Sequence, residues 1–332
     1  MNNPVTLQIS LAPTDLPHAR QILPHQLRQW GVQVDEILLT VDLHRSRGKF
    51  AEAWEDRRPG LLSLVEECCA AYPHASSLEV DYGDEARAAV AEAFFCGRPA
   101  PLKDYRGAPL YSYLFSMHAA RHDHVFHLDS DMLFGGGPTT WVSEALGVLA
   151  ARPDVLACNP LPGPPHPEGI LQSQLLEPES LESLAFRSSG LSTRLFLLDR
   201  RRLAGLPIGP PDLRRGLGAW LDGNPRFKPL EELISDRMAE SGWRRVDFLG
   251  EAPGMWSVHP PWRSAVFYER LPSLIAEIER GDVPEAQLGC HDVEDCMVDW
   301  TGARPTRRRR IESHTRLLLD RRSPASARPL RG

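Results

Sequence analysis

The chain has 332 residues, 42% of them hydrophobic, and a net charge of −6. That length and apolar content suit one large α/β domain or two smaller ones around a sizeable core. The mild negative charge gives no general pull toward nucleic acid or membrane surfaces, and no run reaches the ~18 apolar residues of a membrane-spanning helix.

Six cysteines are present, with Cys68 and Cys69 adjacent, and they form no dense disulfide framework. The opening MNNPVTLQIS has neither the basic nor the apolar stretch of a signal peptide. A reducing cytoplasm is therefore expected. Lysine is confined to Lys49, Lys103 and Lys228, while Arg, Ala and Pro abound. That usage points to a GC-rich bacterial genome.

In chain order, residues 5–11 alternate in polarity and predict a first strand, broken by Ala12-Pro13-Thr14-Asp15. A helix follows over 17–30, then a second strand over 36–41 that ends at Asp42, and a helix over 59–71. Leu78 to Asp81 predicts a short third strand, 84–95 a helix, 109–121 a helix, and 124–128 an apolar strand. Strands alternating with helices predict a mostly parallel sheet flanked by helices, in which ligands sit at the carboxyl ends of the strands. Asp15, Asp42, Asp129 and Asp131 all fall at such ends, which points to one site built from several strands.

Beyond it, 141–151 predicts a helix and 155–158 a strand, and the five prolines of 160–169 predict a loop. A strand is expected over 191–199, an irregular, lid-like stretch over 205–229, and a helix from Leu230 to Ser241. The strand Arg245 to Leu249, a loop carrying Trp256 and His259, and a helix over 271–280 complete the pattern. From about 304 the chain is polar and Arg-rich, including Arg307 to Arg310, and a mobile tail is expected.

The most informative feature is Asp129-Ser130-Asp131, between the apolar strand Val125-Phe126-His127-Leu128 and Met132-Leu133-Phe134-Gly135-Gly136-Gly137. Two carboxylates at a buried strand end are costly unless compensated. A hard divalent cation compensates them, and the glycines are expected to let backbone approach a ligand closely. The residues thus point to a metal-held diphosphate; the competing reading is a turn capped by its own carboxylates.

This succession, from the first strand and Asp15 through the second strand ending in Asp42 to Val-Phe-His-Leu-Asp-Ser-Asp-Met-Leu-Phe, resembles the GT-A glycosyltransferases, close to family 2, over roughly residues 5–250. The resemblance implies a Rossmann-like GT-A fold. Residues 1–140 would be a nucleotide-sugar-binding half, 141–265 an irregular acceptor-binding and catalytic half, and 266–332 a C-terminal extension. It implies a non-processive, cytoplasmic enzyme that moves a sugar from a UDP or GDP donor to a small-molecule or glycan acceptor hydroxyl with Mn²⁺ or Mg²⁺, by direct inverting displacement if Glu231 or Glu232 reaches the acceptor and by a retaining route if neither does. Thr14, Asp15 and Asp42 would contact the base and ribose. Asp131 would bind the metal, Asp129 the ribose or a metal water, and His259 would be a further metal ligand. An acidic pair opening a helix would supply the base; Glu231 and Glu232 fit that place, with Asp236 one turn on. Arg263, or arginines of the C-terminal tail, would add to the stabilisation of charge on the leaving diphosphate.

Other readings fit less well. A haloacid-dehalogenase-type phosphatase would carry Asp129/Asp131 on its first strand, and here more than a hundred residues precede them. A nucleotidylyltransferase would need a glycine-rich N-terminal loop. A non-catalytic sugar-nucleotide binder does not require both aspartates. Cys290-His291-Asp292 with Cys296 matches no standard zinc spacing, so a turn with a buried thiol is expected. Trp220, Trp256 and Trp262 are candidates either for stacking on an acceptor sugar or for core packing.

Overall fold

The computed structural model describes residues 3–44, 53–137, 139–172, 176–180, 183–207 and 226–304. Trp220, the arginines 307–310 and most of the expected 205–229 stretch lie outside the described residues.

The elements run β1 (Val5–Leu11), α1 (Leu16–Trp30), β2 (Glu36–Val41), α2 (Trp54–Ala71), β3 (Ala75–Glu79), α3 (Asp84–Phe95), α4 (Tyr111–Ala119), β4 (His124–Asp129), β5 (Leu133–Gly136) and α5 (Trp141–Ala151). They continue with β6 (Val155–Pro162), β7 (Glu177–Ser180), β8 (Ala185–Ser188), β9 (Leu195–Asp199), α6 (Leu230–Ser241), β10 (Arg244–Phe248), β11 (Met255–Val258) and α7 (Ala265–Arg280).

Nine strands lie side by side in the order β3-β2-β1-β4-β9-β6-β10-β8-β7. β3, β2, β1 and β4 pair in parallel, as do β6 and β10, while β9 runs antiparallel between β4 and β6. The sheet is thus mostly parallel, with α1, α2 and α5 packed over one face and α3, α4 and α6 over the other. Both faces of the sheet are covered, so β1, β2 and β4 are buried almost throughout, and the alternating polar residues Thr6 and Gln8 of β1 lie inside along with the apolar ones. In α1, Leu16, Ala19, Leu23, Leu27 and Trp30 recur at helical spacing and enter the core. The Trp30 ring meets Phe126, Phe134 and Trp141 edge-on.

The carboxyl ends of β1, β2, β3, β4, β6 and β10 share one edge of the sheet. The register places Ser10 beside Asp129 and Leu11 beside Val41, so the turn after β1, Asp42 and the turn after β4 are neighbours.

The structure departs from expectation near the glycines. Residues 133–136 form β5, antiparallel to β11, and β11 stands where the sequence predicts a loop carrying Trp256. Two of the three glycines are required by packing there. A Cβ on Gly135 would stand 2.0 Å from the Trp256 ring, and one on Gly136, whose φ is +94°, would stand 1.8 Å from the carbonyl oxygen of Gly254. Trp256 correspondingly lies in the core beneath α7.

β6 also runs on through Pro160 and Pro162 instead of giving way to a loop. β9 stops pairing with β6 at Cys158 and β10 stops at Pro160, and from Leu161 on β6 pairs with β11 instead. α7 begins at Ala265, capped by the Ser264 hydroxyl accepting the Phe267 N–H, and packs on α1 and β5. Among the described residues no helix is long and apolar enough to cross a membrane.

Candidate functional site

Asp131 follows the end of β4 by two residues, and its side chain is buried. Its Oδ2 accepts hydrogen bonds from Arg263 Nη2 at 2.8 Å and Nε at 3.3 Å, and His259 Nε2 lies 3.8 Å from the same oxygen. Its Oδ1 is buried and takes no hydrogen bond. Burial alone would raise this carboxyl's pKa, but Arg263, His259 and His18 together hold it well below the usual carboxylate range. The same guanidinium donates from Nη1 to Asp15 Oδ1 at 3.0 Å. Burial opposes the Arg263 charge, yet Asp131 and Asp15 raise its pKa further above the ordinary arginine value. Residues 15, 131, 259 and 263, from four segments, therefore meet in one charged cluster.

Asp15 closes the short turn after β1, where its Oδ2 accepts the Ala12 N–H at 2.8 Å. Thr14 lies on that turn, its carbonyl accepting Arg57 Nη1 at 3.4 Å. His18, one turn into α1, is fully buried with Nε2 3.1 Å from Ser130 Oγ. Burial, reinforced by Arg263, brings His18 down to about 4, so it is neutral at physiological pH.

Asp129 has other partners. Its Oδ1 accepts the Tyr113 hydroxyl at 2.6 Å, with His127 Nε2 at 3.5 Å. Its N–H donates to the Arg194 carbonyl, and its carbonyl accepts Gln26 Nε2. Burial and the adjoining Asp129 hold the Tyr113 phenol far above its usual range, so it stays a donor.

Asp42, just past β2, accepts the His44 N–H at 2.9 Å and the Tyr82 hydroxyl at 3.0 Å on Oδ1. Next to it, at the ends of β2 and β3, an open cleft of 440 Å³ is lined by Leu43, His44, Glu79, Val80, Asp81 and Tyr82. The rings of His44 and Tyr82 stand 4.7 Å apart.

The three acidic candidates of α6 sit on a separate element. Glu231 is exposed and Glu232 half-buried in its first turn, while Asp236 is paired with Lys228 Nζ at 2.6 Å.

His259 follows β11 and is 8% exposed. Its Nδ1 faces Asp292 Oδ1 at 3.5 Å, and the His291 ring stacks nearby at 6.2 Å between centroids. Cys290 is a buried free thiol in a turn, as its spacing predicts. His18, Tyr113, His127, His291 and Asp292 all border the site, and sequence reasoning assigned none of them to it. No spacing rule marks His18, Tyr113, His291 and Asp292, because they reach the site through long-range contacts, while His127 sits two residues before Asp129 on β4. Trp256 belongs to the core, and Trp262 packs edge-on against Trp300 at 5.7 Å.

Among the described residues no three His, Cys, Asp or Glu side chains form a metal cage. Asp129, Asp131 and His259 thus do not close as a trio, since Asp129 is engaged by Tyr113. Asp131 and His259 still suit a divalent cation. They offer a buried carboxylate oxygen without a partner and an imidazole nitrogen beside the same carboxylate, and such cations commonly take one or two protein ligands plus phosphate oxygens and water.

No protein-family model matches the chain, and no curated protein matches it. Solved structures with some likeness include a mannosyltransferase, PcManGT, from Pyrobaculum calidifontis in complex with GDP-Man and Mn²⁺. It is 12% identical, with a TM-score of 0.42, over 99% of this chain and 77% of that one. S. aureus TarS (residues 1–349) in complex with UDP-GlcNAc is 12% identical, with a TM-score of 0.41, over 85% and 68%. Glucosyl-3-phosphoglycerate synthase from Mycobacterium tuberculosis with Mn²⁺, UDP and glucosyl-3-phosphoglycerate is 12% identical, with a TM-score of 0.35, over 83% and 78%. These are distant likenesses, and the functional reading rests on the site's own geometry.

Proposed function

We propose that the protein is a divalent-metal-dependent glycosyltransferase that moves a sugar from a nucleoside-diphosphate sugar to an acceptor hydroxyl. The observation that carries this is the buried, partnerless Oδ1 of Asp131, set beside His259 and Arg263 on the carboxyl edge of a mostly parallel sheet. Ligands of open α/β sheets bind at that edge.

Asp131 and His259 would hold the cation. When bound, Mn²⁺ or Mg²⁺ would offset the negative charge that gathers on the departing nucleoside diphosphate. Arg263, once drawn off the carboxylates, would contribute a guanidinium to the same oxygens. The cleft beside Asp42, with the His44 and Tyr82 rings, would receive the base; Asp42 is fixed for that role by two hydrogen bonds. Asp15 and Thr14 border the same edge and would complete the nucleoside pocket. Asp129, oriented by Tyr113, would accept a ribose hydroxyl or a metal-bound water. Glu231 or Glu232 would take the acceptor proton as the anomeric carbon is attacked, giving inversion. The six free cysteines and the arginine-rich, lysine-poor composition support a bacterial, cytoplasmic setting.

Thermal unfolding with UDP or GDP, each with and without Mn²⁺, tests the reading. One nucleoside diphosphate should stabilise the fold in a Mn²⁺-dependent manner. Stabilisation by Mg²⁺ and inorganic phosphate, with none by any nucleotide, would overturn it in favour of a phosphatase.

A further inference from the structure

We propose that Asp292 is a positioning residue that holds the His259 imidazole with Nε2 toward Asp131 and the cation position; this rests on the metal-dependent reading of that site.

The two ring nitrogens of His259 point at two carboxylates. Nε2 lies 3.8 Å from Asp131 Oδ2, and Nδ1 lies 3.5 Å from Asp292 Oδ1. Nδ1 is buried and has no closer partner, so Asp292 is the group placed to accept its proton. A ligand imidazole coordinates through a nitrogen that carries no proton, and an acceptor on the other nitrogen selects that tautomer.

The backbone makes this placement rigid. His259 N–H donates to the His291 carbonyl at 2.8 Å, and Val293 N–H donates to the His259 carbonyl at 2.9 Å, so residue 259 pairs in parallel with residue 292. Fully buried Gln287 then clamps the segment. Its Nε2 donates to the Cys290 and Asp292 carbonyls at 3.0 Å each, and its Oε1 accepts the Glu294 N–H at 2.9 Å. Trp300 Nε1 fixes the Val293 carbonyl at 2.6 Å. Gly163 lies so close to Cys290 that a Cβ there would stand 2.7 Å from its carbonyl oxygen. Five successive residues, 290 to 294, are thus immobilised around the one whose carboxylate faces the imidazole.

The test is a Mn²⁺ titration of the full chain by electron paramagnetic resonance, with UDP or GDP present. Asp292→Ala should weaken Mn²⁺ binding about 10- to 100-fold. The Mn²⁺ concentration for half-maximal activity should rise in step, with kcat at saturating metal largely retained. Asp292→Asn keeps a side-chain oxygen opposite Nδ1 and should recover most of the lost affinity. Equal Mn²⁺ affinity in the wild type and Asp292→Ala overturns the positioning role, whatever happens to the unfolding temperature. Absence of nucleotide-dependent Mn²⁺ binding in the wild type overturns the metal reading itself, and this inference with it.

Discussion

Arg263 occupies Asp131: guanidinium Nη2 and carboxylate Oδ2 stand 2.8 Å apart across 132 positions of sequence, and the same guanidinium reaches Asp15. Without donor, the protein's own cation thus sits on the carboxylate proposed to bind the metal. Mn²⁺ alone should bind weakly and tighten at least tenfold when a nucleoside diphosphate offers Arg263 an alternative partner. Arg263→Ala should reverse the balance, improving Mn²⁺ binding without nucleotide and weakening nucleoside diphosphate binding. Calorimetric titrations in both orders check this; identical Mn²⁺ affinity with and without nucleotide would contradict it.

Asp131→Asn should abolish transfer, with a loss of at least ~10²-fold, and remove the Mn²⁺-dependent part of nucleotide stabilisation. The asparagine keeps the volume but gives up the ion pair with Arg263, so ligand-free stability should fall as well, and the Mn²⁺-dependent part is read against the variant's own ligand-free unfolding. Activity within a few-fold of wild type would remove Asp131 from the site.

Glu231→Gln and Glu232→Gln separate the two base candidates. The variant that removes the base should lose about 10²- to 10⁴-fold in kcat with little change in donor KM, while the other stays near wild type. Asp236→Asn should act weakly, because its carboxylate is already held by Lys228. Two unaffected glutamate variants would place the base elsewhere.

Gly135→Ala should destabilise the fold by about 1–3 kcal/mol through overpacking. The added methyl would meet the Trp256 ring at 2.0 Å, and the ring is wedged between β5 and α7. Urea unfolding measures this; an unchanged midpoint would mean that the strand pair has room it does not show.

Acid should weaken the fold before the carboxylates titrate. Burial lowers the pKa of both His18 and His25, His18 from 6.5 to about 4, so the folded chain binds these protons less readily than the unfolded one. The His18 contribution, about 3 kcal/mol, is complete above pH ~6.5 and is lost as pH falls toward its folded value of about 4; His25 shifts in the same direction. His25 adds a geometric reason, since its Nε2 accepts the Phe134 N–H at 3.0 Å and protonation removes that acceptor. Urea midpoints should fall from pH 7 to 4.5, and His18→Gln should flatten the slope. A wild-type midpoint constant over that range would refute the assignment.

Much of the frame was legible along the chain. β1, α1, β2, α3, β4, α5 and α6 lie within a residue or two of where periodicity put them, because each buries a local, repeating set of apolar side chains. β5, β11 and the β7–β8 hairpin were not legible. They are four residues long each, too short for a period to register, and β5 and β11 acquire strand geometry only by pairing across about 120 positions. The packing role of Gly135 was hidden for the same reason, since what it accommodates, Trp256, arrives from far along the chain.

The order of residues by itself determined that several aspartates would stand at the ends of parallel strands, because alternating strands and helices force that arrangement. It could not determine which atoms face each other. Asp131 meeting Arg263 and His259, Asp129 going instead to Tyr113, and Asp292 standing behind His259 were decided by the tertiary structure. Close packing and the penalty on unpaired buried charge leave few arrangements open, and these contacts belong to one of them.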